Sequence, residues 1–293
     1  MSTPADGLEG LRAGRAFVDL SAWRKVQVAG TDARGWLNDL ITADIDHLEP
    51  GRSARSLLLT PTGRIRADFS VAPWQDGFLL AQDPEQPAAI YSLLAPYVLS
   101  SDVRLADRTG ELALYACPGS SAPPAAALAR WRPSCVGEGI DYLAAAGPGA
   151  DAVSSSLRAA GLAPAGLESL EAWRVERGAA RFGVDLLEDS LPHEAGLDRA
   201  IGYDKGCFLG QEALAKVRNL GHPPHVVLAA VTGGTAGPGD AVTADGGEVG
   251  LVTSATLLPD GRTAAIVRVR WSARDSALTT AEGQRITPTG PAS

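Results

Sequence analysis

From Gly221 onward the chain is built of short Val-rich runs at 226–231, 248–254 and 263–270, cut apart by Gly233-Gly234, Gly237-Pro238-Gly239 and Gly246-Gly247. β-branched side chains favour extended backbone while Gly and Pro supply the turns, so regularly spaced runs of this kind close into a small antiparallel barrel. A boundary is expected near residue 221, separating a first region, 1–220, from a barrel at 221–293. No internal repeat is visible.

The first region mixes strand and helix signals. Gly30-Thr31-Asp32 can open a helix through Trp36, Leu37 and Leu40, with Thr and Asp satisfying its free amides. Runs at 56–60 and 64–71 read as a hairpin around Pro61-Thr62-Gly63. Further strands are expected at 78–81, 103–106, 112–117 and 140–145. Helical spacing covers 87–98, 150–160 and 167–179, the last with Leu167, Leu170 and Arg174 on one side. The Ala- and Pro-rich stretch 119–133 reads as a surface connection with a short helix. Residues 182–204 read as a long loop, and loops of that length inside a compact domain are usually functional or disordered.

Composition narrows the class. With 293 residues, 45% hydrophobic and 20% charged, the chain can bury a substantial core in one to three packed units. Its 26 Lys and Arg against 34 Asp and Glu give a net charge of -8, which disfavours a broad nucleic-acid surface. Residues 1–11 carry Asp6 and Glu9 without a basic start or apolar run, so no signal peptide is read there. No stretch approaches the roughly 18 apolar residues of a membrane span, and a cytoplasmic protein is expected. The cysteines Cys117, Cys135 and Cys207 form no C-x-x-C pair, which speaks against a disulfide framework or a single-chain metal site. His222-Pro223-Pro224-His225 lacks the helical spacing of a metal pair, so no metal is expected. Cys117 and Cys135 read as packing residues.

The most informative segment is Lys205-Gly206-Cys207-Phe208-Leu209-Gly210-Gln211-Glu212. Leu209, Ala213, Val217 and Leu220 recur at helical spacing, placing Cys207 at or just before a helix N-terminus. There the helix dipole, together with Lys205, would favour the thiolate, the nucleophilic and metal-binding form. Gly206 and Gly210 leave room for a ligand to approach. The plainer reading is a cysteine packed as a small hydrophobe beside two turn glycines.

This K-G-C-[FY]-x-G-Q-E segment resembles the signature of the YgfZ branch of the GcvT, or aminomethyltransferase-like, family. Other family-like pieces run in order. They are Gly30-Thr31-Asp32 with Trp36-Leu37-Asn38, Thr42-Ala43-Asp44-Ile45, Thr62-Gly63-Arg64-Ile65, Arg174-Val175-Glu176-Arg177-Gly178, Arg181-Phe182-Gly183-Val184-Asp185, Leu191-Pro192-His193-Glu194-Ala195-Gly196-Leu197, and the Gly-Leu-Val-Thr-Ser run at 250–254. Together they cover roughly residues 15–270. The resemblance implies an α+β, three-lobed, ring-like molecule with two intertwined subdomains before a C-terminal antiparallel β-barrel, binding tetrahydrofolate or a derivative.

Glu176 matches the family glutamate that accepts the adjacent N–H groups of the pterin; a helical ion pair with a neighbouring Arg is its other reading. Asn38, Gly206, Gly210, Gln211 and Arg218 complete the expected folate set, Asn38 having a capping or solvent-facing amide as its alternative. Arg177, Arg181, Lys205 and Arg218 are unranked candidates for the anionic glutamyl tail. Cys207, Lys205 and Asp68 are the expected catalytic residues. Aminomethyltransferases carry an acidic pair where this chain has Ala67-Asp68, so one carboxylate of a proton relay is missing. The resemblance therefore implies a folate-binding protein that supports iron-sulfur cluster assembly or repair through Cys207, and tRNA modification indirectly. Its partners would be iron-sulfur proteins or assembly factors met transiently. The alternative is a folate-dependent aminomethyl- or methyltransferase, and whether turnover occurs is left open.

Overall fold

The computed structural model describes residues 4–119 and 127–292. They divide into two compact units: residues through 59 with 66–170 and 200–209, and residues 60–65 with 171–199 and 210 onward.

The first unit opens with α1 (Pro4–Arg12), β1 (Ala16–Asp19), β2 (Arg24–Ala29) and α2 (Ala33–Leu40). A hairpin of β3 (Ala54–Leu59) and β4 (Ile65–Trp74) follows, then β5 (Gly77–Gln82), α3 (Ile90–Leu94) and β6 (Arg104–Asp107). These strands form a sheet of order β3-β4-β5-β2-β6. Along β4 the period of two is plain: Ile65, Ala67, Phe69 and Val71 are buried while Arg66 is exposed. Of that face, Ala67, Phe69 and Val71 pack with Val26, Val28, Phe78 and Leu80 of the neighbouring strands and Ala33 and Leu37 of α2. The helix expected over 87–98 is shorter than its periodicity suggests. It gives way to a 3-10 turn, Ala95–Tyr97, at Pro96, which has no amide to continue the ladder.

A second sheet follows from β7 (Leu112–Pro118), β8 (Ala129–Trp131), β9 (Gly139–Ala145) and β10 (Ala163–Ala165), in the order β10-β1-β7-β9-β8. Val153 and Leu157 of α4 (Pro148–Ala159) cover its Phe17, Tyr115 and Tyr142. Residues 120–126, and with them the short helix expected in 119–133, lie outside the described residues. The described end of that stretch is the edge strand β8.

α2 begins where its sequence signal says, but not by the expected cap. No side-chain cap bond is made by Asp32. Its carboxylate accepts the Asp102 amide at 2.8 Å, while the Thr31 amide and hydroxyl donate to the Asp102 carboxylate at 3.2 and 2.9 Å. Both polar side chains tie the turn to the β6 approach, a long-range use that local propensity does not reveal.

The second unit takes in most of α5 (Leu167–Glu176), then α6 (Gln211–Leu220), and a barrel of β11 (His225–Thr232), β12 (Ala241–Ala244), β13 (Gly247–Leu257), β14 (Thr263–Arg270), β15 (Leu278–Thr280) and β16 (Arg285–Pro291). The ring closes in the order β11-β14-β13-β12-β15-β16 with every pairing antiparallel, as the Val-rich runs predict. Val226, Leu228, Val242, Val252, Val267, Val269 and Ile286 fill it. Residues 182–204 are not a featureless loop. They fold into two short 3-10 turns, Pro192–Ala195 and Leu197–Ala200, and bury Leu186, Leu191, Glu194, Ala195 and Leu197, contacts too irregular to leave a periodic signal. Among the described residues no helix is long and apolar enough to cross a membrane.

Two glycines test this packing with opposite signs. Gly30 has φ +126° and a Cβ there would stand 2.0 Å from the Asp102 carbonyl oxygen, so Gly30→Ala should cost about 2–4 kcal/mol in urea denaturation. Gly35 lies inside α2 with nothing within 4 Å of its added Cβ, so Gly35→Ala should gain about 0.5–1 kcal/mol in the same measurement.

Candidate functional site

The segment bearing Cys207 belongs to the first unit and is fastened to the turn that ends α2. An α-helix leaves its last carbonyls without intrahelical donors, and here a distant segment supplies them. The Lys205 ammonium donates to the carbonyl oxygens of Asn38, Ile41 and Ala43 at 2.5, 2.7 and 2.8 Å, with the Asn38 side-chain oxygen at 3.3 Å. The Leu209 amide donates to the Asp39 carbonyl at 3.1 Å. Upstream, the Thr42 hydroxyl donates to Ala200 O at 2.7 Å, and the Gly202 amide to Thr42 O at 2.8 Å. Between these anchors Gly206 and Cys207 are exposed.

Sequence reasoning expected Lys205 and a helix N-terminus to act on the thiol. The structure places both differently. α6 starts only at Gln211, behind a left-handed Gly210 at φ +86°, and a helix dipole acts mainly within its first turn. Lys205 spends its three N–H bonds on main-chain carbonyls. Burial pushes its pKa down to about 8, opposed by the carboxylates of Asp44, Asp39 and Asp46. Asn38 is buried, not solvent-facing, and its side-chain oxygen accepts the Ile45 amide at 3.0 Å. Asn38 and Lys205 are thus brought together, in a cluster that also fixes the Cys207 turn.

Asp68 has other partners. Arg55 grips its carboxylate in a two-pronged pair, Nε to Oδ1 at 3.0 Å and Nη2 to Oδ2 at 2.7 Å. The Gln86 amide brackets the Asp68 backbone, accepting its N–H at 3.0 Å and donating to its carbonyl at 2.6 Å. Cys117 is buried in β7, and desolvation followed by the nearby Asp141 pushes its thiol up to about 12. Cys135 is half-buried, its amide donating to Asp141 at 2.7 Å, and desolvation with Asp141 raises its pKa as well. Of the three thiols only that of Cys207 is exposed.

The remaining folate candidates, Glu176, Gly210, Gln211 and Arg218, fall in the second unit. Glu176 is the last residue of α5 and half-buried; Gln211 is half-buried, Gly210 buried and Arg218 exposed. Two residues before Glu176 sits a group whose role sequence reasoning missed. Arg174 is 8% exposed and donates to Asp185 at 2.8 Å, to Glu171 at 2.7 and 2.5 Å, to the Ser254 hydroxyl at 2.7 Å and to Ala179 O at 2.9 Å. Asp185, fully buried, also accepts the hydroxyls of Thr253 and Ser254 at 2.6 and 2.7 Å and the Arg181 amide at 2.9 Å. A register shift between Val252 and Ser254 makes this possible. In a regular strand adjacent side chains point to opposite faces, whereas the bulge lets both hydroxyls reach one carboxylate. The available signal was an arginine inside the apolar stripe of α5, which demands a buried acidic partner.

His222 stacks on Trp271, ring centroids 5.2 Å apart, and His225 lies 3.2 Å from Arg268, which pairs with the buried Glu194. Among the described residues no three or more His, Cys, Asp or Glu side chains are grouped to hold a metal. A cavity of about 290 Å³ in the first unit, lined by Gly51, Arg130, Trp131, Arg132 and Ile140, involves none of the expected site residues.

Residues 5–131 match the family model described as the GCVT N-terminal domain. A crystal structure of glycine cleavage system aminomethyltransferase T from Bartonella henselae superposes with a TM-score of 0.80 over 98% of this chain and 89% of that one, at 20% identity. The fold is GcvT-like. Sequence relatives include aminomethyltransferases of Rubrobacter xylanophilus, 29% identical over 86% of this chain and 74% of that protein, and of Alcanivorax borkumensis, 25% identical over 88% and 79%. A chloroplastic protein of Arabidopsis thaliana named as a transferase is 26% identical over 86% of this chain, which spans only 64% of it.

Breaking the buried Arg174–Asp185 pair leaves a charge unsatisfied. Arg174→Met should therefore cost about 3–5 kcal/mol, whereas replacing the exposed Arg218 by Met should cost under about 0.5 kcal/mol, both by urea denaturation.

Proposed function

We propose that the protein binds tetrahydrofolate, or a derivative of it, and works through the thiol of Cys207 in the assembly or repair of iron-sulfur clusters in client proteins, as the resemblance to the YgfZ branch implies. The observation that carries this reading is the exposed sulfur on a turn fastened at Ala200, Gly202, Lys205 and Leu209. A thiol kept only for packing needs no such display. The folate-binding region is proposed to be residues 1–220, followed by the barrel at 221–293.

The side chains present suit a folate. A pterin offers an amino group and a ring N–H side by side, and the carboxylate of Glu176 can accept both. Arg174, on the same helix, is engaged by Asp185, Glu171 and Ser254, so it fixes the helix end that carries Glu176. Gln211 and the Cβ-free Gly210 would border the ligand, and Arg218 supplies positive charge for the glutamyl tail. Bound tetrahydrofolate would supply a carrier for a one-carbon unit. Cys207 would lend a sulfur electron pair to iron in transit after losing its proton. One thiolate does not hold a cluster, so the other ligands come from the client or an assembly partner. With a net charge of -8, a link to tRNA modification runs through an iron-sulfur enzyme and not through direct RNA binding.

The second reading is a folate-dependent aminomethyl- or methyltransferase, favoured by the names of the relatives. Against it stands the Arg55 pair, which leaves Asp68 committed where a free carboxylate would act as base.

Calorimetry with tetrahydrofolate should show binding that Glu176→Gln weakens about tenfold or more, the loss of one charge-assisted hydrogen-bonded contact. Absence of binding by the wild-type chain would remove the folate reading. Cys207→Ala should leave that affinity within about twofold, as no folate contact is assigned to the sulfur, while abolishing support of an iron-sulfur enzyme in cells. Tetrahydrofolate-dependent demethylation of a methylamine by the pure protein, lost in Asp68→Asn, would favour the transferase instead.

A further inference from the structure

The Lys205 ammonium is a cation enclosed by the end of another element. Its three shortest bonds go to main-chain carbonyls of residues 38, 41 and 43, and its fourth neighbour is the Asn38 amide oxygen. The ring of the buried Phe208 lies 5.0 Å away on a further side, as in a cation–π contact. The location is electrostatically apt. Asn38 O and Asp39 O are among the last carbonyls of α2, at the negative end of its dipole, and Lys205 and the Leu209 amide take one each. The Asp39, Asp44 and Asp46 carboxylates add attraction. Thus the two residues flanking Cys207 at a distance of two, Lys205 and Leu209, together cap α2, and the thiol stands on the arch between them.

We propose that Lys205 is a positioning residue for Cys207, its ammonium acting as a tethered cation that fills the oxygen cage at the end of α2 and pins the thiol-bearing turn. This deepens the reading given above and rests on it for the role of the sulfur. With all three N–H groups committed to carbonyls, Lys205 has no N–H left to hydrogen-bond a thiolate, and its charge is already faced by the Asp44, Asp39 and Asp46 carboxylates. Its effect on Cys207 is geometric.

The test uses the full chain. Amide exchange is followed at Gly202 and Leu209, and alkylation of Cys207 by iodoacetamide is followed by peptide mass spectrometry across pH, in wild type, Lys205→Met and Lys205→Ala. Both variants should exchange at Leu209 at least about tenfold faster, as a local anchor is lost. n-Propylammonium, which replaces the deleted atoms, should restore protection to Lys205→Ala and not to Lys205→Met, whose side chain fills the approach. The pH at half-maximal alkylation should be the same in all three. Lys205→Met retains the stem volume, so it decides the question if Lys205→Ala does not fold. Unchanged protection, failure of the amine to restore it, or an alkylation midpoint displaced upward in Lys205→Met would overturn the proposal, the last by making Lys205 act on the sulfur directly. Cys207→Ala should retain wild-type exchange at both amides. If it also retains full activity in cells, the thiol's function fails while the pin stands.

Discussion

A cation leaves water at low cost where oxygens take over its N–H groups, and both units bury cations in that way. Transferring an unpaired ammonium or guanidinium into the interior costs several kcal/mol, more than most single packing contacts return. In the first unit the fully buried Lys25 donates to Ser21 O and Trp23 O at 2.6 and 2.8 Å, and Lys205 meets the carbonyls of Asn38, Ile41 and Ala43 at and just past the end of α2. In the second, Arg174 exhausts its guanidinium on two carboxylates, a hydroxyl and a carbonyl. Such clusters accept few alternatives, because moving one member strands the others.

The same constraint decides what could be read ahead of the structure. Strands and helices with a clean period were legible: the barrel from its Val-rich runs, β4 from its alternation, α2 from Trp36, Leu37 and Leu40. What periodicity does not encode is partnership across sequence. Asp32 carries the residue type of a cap and serves the Asp102 amide instead, because a long-range donor competes successfully for its carboxylate. Lys205 stands two residues from Cys207, yet its side chain runs to residues far away along the chain. Residues 182–204 looked like a loop because 3-10 turns and isolated buried side chains have no repeat to detect. Arg174 was visible as an arginine in an apolar stripe, but its partner Asp185 was not, since nothing local joins them.

For the candidate site, the motif around Cys207 names the neighbouring groups but not what they bond to. A lysine and a helix start near a cysteine suggest an ionised sulfur. The lysine instead binds a helix end and the helix starts at a later residue, leaving the sulfur presented on a braced arch. The glutamate expected to meet a pterin sits two residues from Arg174, whose buried bonds give that helix end little freedom to drift. The cavity at Arg130 and Arg132 in the first unit is lined by none of the residues that sequence patterns nominated for the site.

The bulge at Thr253 carries a consequence for how this barrel tolerates change in length. Upstream and downstream halves of β13 are out of phase by one residue, so each half keeps its own inward-facing set against β14. Deleting Thr253 would join the halves in one regular phase with Val252 and Ala255 still facing inward, and would take one of the two hydroxyls away from Asp185. Replacing Thr253 by another short hydroxyl residue preserves the phase. In this strand the extra residue serves the buried carboxylate and not the closure of the barrel.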